Sequence, residues 1–529
     1  MKQQYRFRRV AGAFLGVAMV VSALVACSGT SNTTTQDKAL RVVMATAPTS
    51  LDPIDQFGGT DTLSGNMYVT LLRTGTKDLG NGLSTENGAD VEGYLAKDWK
   101  VSDDGLTYTF HLKPGLTFAS GTPVDSAAVK YSFERALDST AEAFITTLTP
   151  GLIKSIDTPD ADTVVFTLSE PRPSVLQAWA SYSSAIVDPS VVKAKGAKWL
   201  DTNEAGSGPY ELVSYTPNRE LVMKERPGFA KWAGWAPKRQ NVTVQFAADD
   251  SALLLAVKQG ADVVIGLTSQ SVASLKNDSA VRVETFESVR TRFLNLAWSK
   301  APFSNAKVRE ALTYAVDLKA ILDGPANGDG QLYYGPSNPN LPFFNKELAT
   351  PITRDVAKAE QLLKDSGETL PIRFTLSIDQ GAPVDKQIAQ VLQSTLKPAG
   401  FDIQIEVLPT AEFSEATYAD GFQAQIREDA PGYADTGFYL GYAMACVLKP
   451  VGTNASHMCM PEADKLLAAA RATTDPEKAQ AKYDEITRIW RENYPQIPLF
   501  AMSPAIVLSK SVTSFEYSYD FSNRVTDWG

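Results

Sequence analysis

Apolar positions along the chain switch repeatedly between period-two and helical spacing. Leu40-Arg-Val-Val-Met44, Thr107–Leu112 (TYTFHL) and Thr163–Leu168 (TVVFTL) predict strands. Between the last two, Asp125 is expected to cap a helix running through Leu137, with Val129, Phe133 and Leu137 on one face. Glu211–Tyr215, Glu220–Lys224 and Val242–Phe246 predict further short strands. Asp250 is placed to cap a helix ending near Gln259, Gly260 suits a left-handed stop, and Asp262-Val-Val-Ile265 begins the next strand. This helix–glycine–strand succession predicts a parallel sheet.

Asn305 opens a long predicted helix with Val308, Leu312, Ala315 and Val316 at helical spacing, and a second covers about Asp355 to Lys364 before Gly367. Ile372–Ile378 predicts a strand, Asp385–Lys397 a helix stopped by Gly400, and Ile403, Ile405 and Val407 alternate in the strand after it. Asp475-Pro476 starts a final helix to about Asn493, with Tyr483, Ile486 and Trp490 on its apolar face. Alternating strands and helices predict an α/β protein.

The first residues change the picture. Lys2, Arg6, Arg8 and Arg9 precede an uncharged run from Val10 to Ala26, and Leu24-Val-Ala-Cys27 matches a cleavage site whose cysteine becomes the lipidated first residue. Residues 1–26 are expected to be a lipoprotein signal peptide and residues 27–38 a polar, lipid-anchored tether. The alternative is an uncleaved anchor, because the run approaches the lower spanning limit of about 17–25 residues. Without those four basic residues the formal charge moves from −10 to −14. No strongly basic stretch remains, so nucleic acid and anionic lipid are poor partners. A mature chain of this length exceeds one ordinary core, and two or three domains are expected.

Outside the cytoplasm, with Cys27 given to lipid, Cys446 and Cys459 remain as an even pair, favouring a disulfide over a metal site with His457. The only other histidine is His111, too little for a transition-metal cage, and no cofactor is expected. The chain holds no GxxxxGK[ST], HExxH or GxSxG, and acid pairs such as Asp103-Asp104 fall at turns. A binding protein is expected, not an enzyme.

A set of motifs then falls in order. Thr49-Ser-Leu-Asp-Pro53, Gly93-Tyr-Leu-Ala-Lys-Asp-Trp99 and Asp103 through Phe118 (DDGLTYTFHLKPGLTF) come first. Gly121-Thr-Pro-Val-Asp125, Gly206-Ser-Gly-Pro-Tyr210, Gln259-Gly-Ala-Asp-Val263 and Pro302-Phe303 with Val308-Arg-Glu-Ala-Leu312 follow. Over nearly all of the mature chain the pattern resembles extracellular solute-binding protein family 5, the dipeptide-, oligopeptide- and nickel-type binding components of ATP-driven importers. The resemblance implies a bilobal periplasmic-binding-protein (flytrap) fold with an extra β-rich domain inserted in the first lobe. The implied lobe I comprises residues 39–72, 205–288 and 505–529; the insert is residues 73–204, and lobe II is residues 289–504. It also implies that Cys446 and Cys459 fall where dipeptide binders carry a disulfide.

Asp429-Ala-Pro-Gly-Tyr-Ala-Asp435 resembles a family loop whose first acid receives the ligand's α-ammonium. Here Gly432 stands at that position, with Tyr433 next. Asp435 or Asp429 is left to substitute, or the ligand lacks a free amine; a turn-capping role for Asp435 is the competing reading. Arg427 and Arg292 are candidates to fork onto a ligand carboxylate, against ordinary salt-bridging, and Tyr433 is the aromatic candidate within the loop. Trp179, after Pro171-Arg-Pro-Ser, is a candidate stacking residue, as is Trp298, against core packing for both.

Three functions fit: peptide capture for delivery to an ABC permease and its ATPase; the same scaffold binding an oligosaccharide, opine or metal chelate; and a surface lipoprotein acting as sensor or adhesin. A monomer tethered outside the cell membrane, at the cell surface or in the periplasmic space, is expected.

Overall fold

The computed structural model describes residues 39–54, 63–138, 151–419, 421–446, 454–519 and 523–529. The expected signal peptide, Cys27 and the tether lie outside the described residues. Among the described residues no helix is long and apolar enough to cross a membrane.

A seven-stranded sheet runs in the order Val281–Thr285, Ala505–Ser509, Val263–Ile265, Leu40–Met44, Asn241–Phe246, Glu220–Glu225, Tyr210–Thr216. Leu40–Met44 pairs in parallel with both Asn241–Phe246 and Val263–Ile265. The helix Asp250–Lys258 crosses between those neighbours and packs Leu253, Ala256 and Val257 against Val43 and Val264. Its cap is Asp249, not Asp250. Asp249 holds the extended backbone a cap needs and accepts from Ala252 N at 2.8 Å. The carboxylate of Asp250 instead accepts from Thr268 N at 2.8 Å, tying two loops together.

A six-stranded sheet follows the order Gly330–Gln331, Gln496–Met502, Thr291–Leu296, Ala424–Asp429, Ile372–Asp379, Phe401–Leu408. The helices Ala306–Ala315, Val356–Ser366 and Pro383–Leu396 supply Leu312, Leu363, Ile388 and Leu392 to its core. Asn305 caps the first, which stops at Ala315 because Val316 turns extended. The third begins at Pro383, so Asp385 sits in its first turn and is buried. Val407 is 49% exposed, since its strand is the sheet's edge. In the helix Pro476–Asn493, capped by Asp475, Tyr483, Ile486 and Trp490 are buried as the spacing predicts.

Two smaller sheets complete the chain. One joins Leu72–Gly80, Leu83–Gly93 and Phe515–Tyr517; the other joins Ala96–Val101, Thr107–Leu112, Thr163–Leu168 and Ile153–Asp160. The helix Ser126–Leu137, capped by Asp125, closes the core of the second with Phe110, Phe133, Phe166 and Trp179. Gly206 and Gly208 lie against Met67 and Tyr68, where an added Cβ would come within 2.0 Å of Met67 O and 2.4 Å of Tyr68 N. Only glycine permits that approach. Cys446 and Cys459 form a disulfide.

The chain passes between the two large sheets through residues 286–290 and 503–504. The two passages are bonded to each other. Phe286 N donates to Pro504 O at 3.0 Å, Met502 N to Arg290 O at 2.9 Å, and Ser288 Oγ to Met502 O at 2.7 Å.

Candidate functional site

Parallel strands deliver their carboxyl ends to a common edge, where α/β proteins hold ligands. Ala45 and Thr46 follow Leu40–Met44, and Gly266 follows Val263–Ile265. Facing them, Asp379 ends the strand Ile372–Asp379, and Glu428 and Asp429 end Ala424–Asp429. All of these line one cavity of about 1060 Å³ between the two large sheets, with Met502–Ile506 of the second crossing at its base.

One wall carries a charge network. Antiparallel register sets Arg292 opposite Glu428. Arg292 Nη1 donates to Asp385 Oδ1 at 2.7 Å and Nη2 to Glu428 Oε2 at 3.1 Å; Arg290 Nη1 reaches Glu428 Oε1 at 3.1 Å. Arg427 lies 3.7 Å from Asp429, whose Oδ1 accepts from Ala430 N at 3.1 Å. Burial pushes the Asp385 carboxyl up to about 6 despite the pull of Arg292, and Glu428 adds to the push. Burial also raises Asp429, against Arg427. For Glu428, burial pushes upward, but Arg290 and Arg292 together hold it below the usual carboxylate range.

Of the residues expected at the site, Arg292, Arg427, Asp429 and Gly432 line this cavity. A Cβ at Gly432 would meet nothing within 4 Å, and its carbonyl accepts from Ser181 Oγ at 3.4 Å. The other four are set apart. Asp435 is the N-cap of the helix Thr436–Met444, accepting from Phe438 N, and does not line the cavity. Burial raises its carboxyl, opposed by that backbone bond and by Arg471 and Arg172. Tyr433 stacks on Phe438 at 4.6 Å and enters a buried cluster otherwise drawn from residues 54–229, leaving Phe438 to face the cavity. Trp179 requires a correction. It is fully buried among Tyr108, Phe110, Phe133 and Phe166, with ring centroids 4.5–6.0 Å away, and touches no part of the cavity. Its apolar bulk is worth more in that aromatic core than against a solute. Trp298 likewise packs under Arg309, 4.0 Å from its ring, and donates to Pro495 O.

Sequence reasoning missed Arg290, Glu428 and Asp385. For Glu428 the available signal was the run of charge Arg427-Glu-Asp429 at the end of a strand, because a charge is rarely kept in a buried strand unless paired; Arg290 precedes its strand and Asp385 sits in a helix, where no such signal applies. Among the described residues no group of three or more His, Cys, Asp or Glu side chains could hold a metal ion.

Comparisons with known proteins agree with this architecture. The chain is 30% identical over 483 residues, 90% of each chain, to the "Probable D,D-dipeptide-binding periplasmic protein DdpA" of Escherichia coli K12. Helicobacter pylori DppA, an ABC transporter-associated periplasmic binding protein solved with the peptide STSA, superposes with a TM-score of 0.82 at 21% identity, covering 93% of this chain and 98% of that one. The binding protein AgaA from A. tumefacien R10, solved with agropinic acid, gives 0.79 at 24% identity, covering 93% and 98%. These two likenesses show the fold. Residues 90–447 match the family described as Bacterial extracellular solute-binding proteins, family 5 Middle, and the chain belongs to that family.

Proposed function

We propose that this chain captures a small peptide in the cavity between its lobes and delivers it to the permease and ATPase of an ABC importer. The observation that carries the reading is the cavity itself: about 1060 Å³, bounded by strand ends of both large sheets, with all its charged side chains on one wall. A volume near the upper end of ordinary ligand pockets suits a short peptide and bridging water. Arg290, Arg292 and Arg427 offer guanidinium edges for a carboxylate, and Asp429 is the acid of the 429–435 loop that faces the ligand. A relative named for D,D-dipeptides and a neighbour solved with a peptide support the same solute class. The protein acts as a binder, tethered outside the membrane through Cys27, with residues 73–204 as an insert in the first lobe.

Gly432 favours a second reading, in which the scaffold takes a solute without a free α-amine, such as an opine. A thermal-shift panel of L,L- and D,D-dipeptides, an opine and an oligosaccharide separates the two. A dipeptide at 100 times its dissociation constant adds about 2.7 kcal/mol, seen as a raised Tm. A shift from the opine with none from any dipeptide would replace the first reading by the second. Replacing Cys27 with Ala is expected to release the protein from membranes.

A further inference from the structure

The wall facing the charge network is built from uncharged residues, and two of its polar side chains hold donors that nothing in the fold uses. Ser518 follows the strand Phe515–Tyr517, is 8% exposed and lines the cavity, yet its Oγ has no hydrogen-bond partner. Asn523 lines the same cavity, and its Nδ2 is also buried without a partner, although its backbone carbonyl accepts from Asn66 Nδ2 and Val525 N. Across the cavity, Arg292 Nε is buried and unpartnered, while both Nη atoms of that guanidinium are engaged. Trp179 Nε1 and Trp490 Nε1 are also unpartnered, but they belong to aromatic cores and their residues do not line the cavity. These three lie in residues that meet the cavity.

A buried donor left without an acceptor retains its full desolvation penalty. A ligand that supplies the missing acceptor removes that penalty. We propose that Ser518 and Asn523 form an acceptor-binding subsite on the uncharged wall, receiving a carbonyl or carboxylate oxygen of the ligand, opposite Arg292. A ligand oxygen held there while another meets Arg292 Nε ties the two lobes together. Such a bridge exists only when the cavity is closed, so it supplies differential affinity for the closed form. The inference rests on the reading of this cavity as the capture site and assigns the chemistry of one of its walls.

The test uses Ser518→Ala and Asn523→Ala in the full mature chain, with L-alanyl-L-alanine and D-alanyl-D-alanine as probes in titration calorimetry. For whichever dipeptide binds the parent protein, each variant is expected to weaken Kd about tenfold, the scale of one lost hydrogen bond in a desolvated site. The Tm of the ligand-free protein is expected to stay level or rise, because the deleted atoms have no partner in the fold. A ligand-free Tm lowered by about 4 °C or more in Ser518→Ala shows that the hydroxyl serves the fold and overturns the subsite. Unchanged Kd in both variants overturns it too, while leaving the peptide reading standing. If neither dipeptide binds the parent, the same comparison is made with whichever member of the thermal-shift panel raises its Tm, and unchanged Kd for that solute in both variants overturns the subsite.

Discussion

The two walls of the cavity are made differently. The wall from the six-stranded sheet carries Arg290, Arg292, Arg427, Asp385, Glu428 and Asp429, knitted into contacts of 2.7–3.7 Å. The wall from the seven-stranded sheet and the last residues of the chain holds hydroxyls, amides and aliphatic groups, and among its described residues no Asp, Glu, Lys or Arg lines the cavity. Charges close together can compensate one another before any solute arrives, which limits the cost of holding them in a dry site. Had they been divided between the walls, an open cleft would leave each set unpaired and hydrated, and closure would have to strip that water. Concentrating them on one wall leaves one surface preset electrostatically and the other furnished with neutral hydrogen-bonding groups.

The comparison breaks most readily at Arg292. Arg292→Met leaves Asp385 without its guanidinium and Glu428 with only Arg290, and is expected to cost about 3–5 kcal/mol in urea denaturation, the scale for removing one partner of a buried pair. A loss below about 1 kcal/mol would mean that water already solvates the charged wall. The second effect is a pH dependence. Asp385 takes up its proton at about pH 6 in the folded chain, above the ordinary 3.8 of a free aspartate. Protonation therefore favours folding: the contribution of this group is complete below pH 3.8 and is lost as pH rises through 6. Moving from pH 7 to pH 5 should stabilise the parent by about 1 kcal/mol more than Asp385→Asn; equal responses would place the carboxyl back in solvent.

The uncharged wall should respond more weakly. Thr268 caps the helix Ser269–Leu275 through Ser271 N, and Thr268→Ala should cost about 1 kcal/mol of stability without altering the pH response. The smallest expected change is at Asp435. Asparagine caps a helix as well as aspartate, so Asp435→Asn should leave dipeptide affinity within about twofold. A tenfold loss by calorimetry would return that carboxylate to the binding surface.

Much of the framework was legible because its signals are local. Asp125, Asn305 and Asp475 cap the helices that their spacing predicts. Adjacent acids were harder. Asp249 and Asp250 look alike in one dimension, and only the extended backbone at Asp249 decides which one caps. The site was legible in part for a different reason. Arg292 and Arg427 stand out as charges in apolar strands, but their partners come from distant positions: Asp385 is 93 residues from Arg292, and Glu428 is 136. No local pattern carries that pairing. Trp179 shows the converse failure, since a tryptophan after a proline-rich turn has the same appearance whether it faces a solute or fills a core. Packing against Phe166 and Tyr108 made the choice.

The crossing segments have a mechanical consequence. Bonded backbone to backbone through Phe286–Pro504 and Met502–Arg290, they make a short two-ply ribbon that can bend or twist as one piece, while sliding one ply past the other would break its rungs. Any displacement of one large sheet against the other therefore has to pass through bending or twisting of this ribbon. Since Arg290 and Arg292 stand at the ribbon's edge, the pivot and the electrostatic surface share a single stretch of chain, and the angle of one sets the reach of the other.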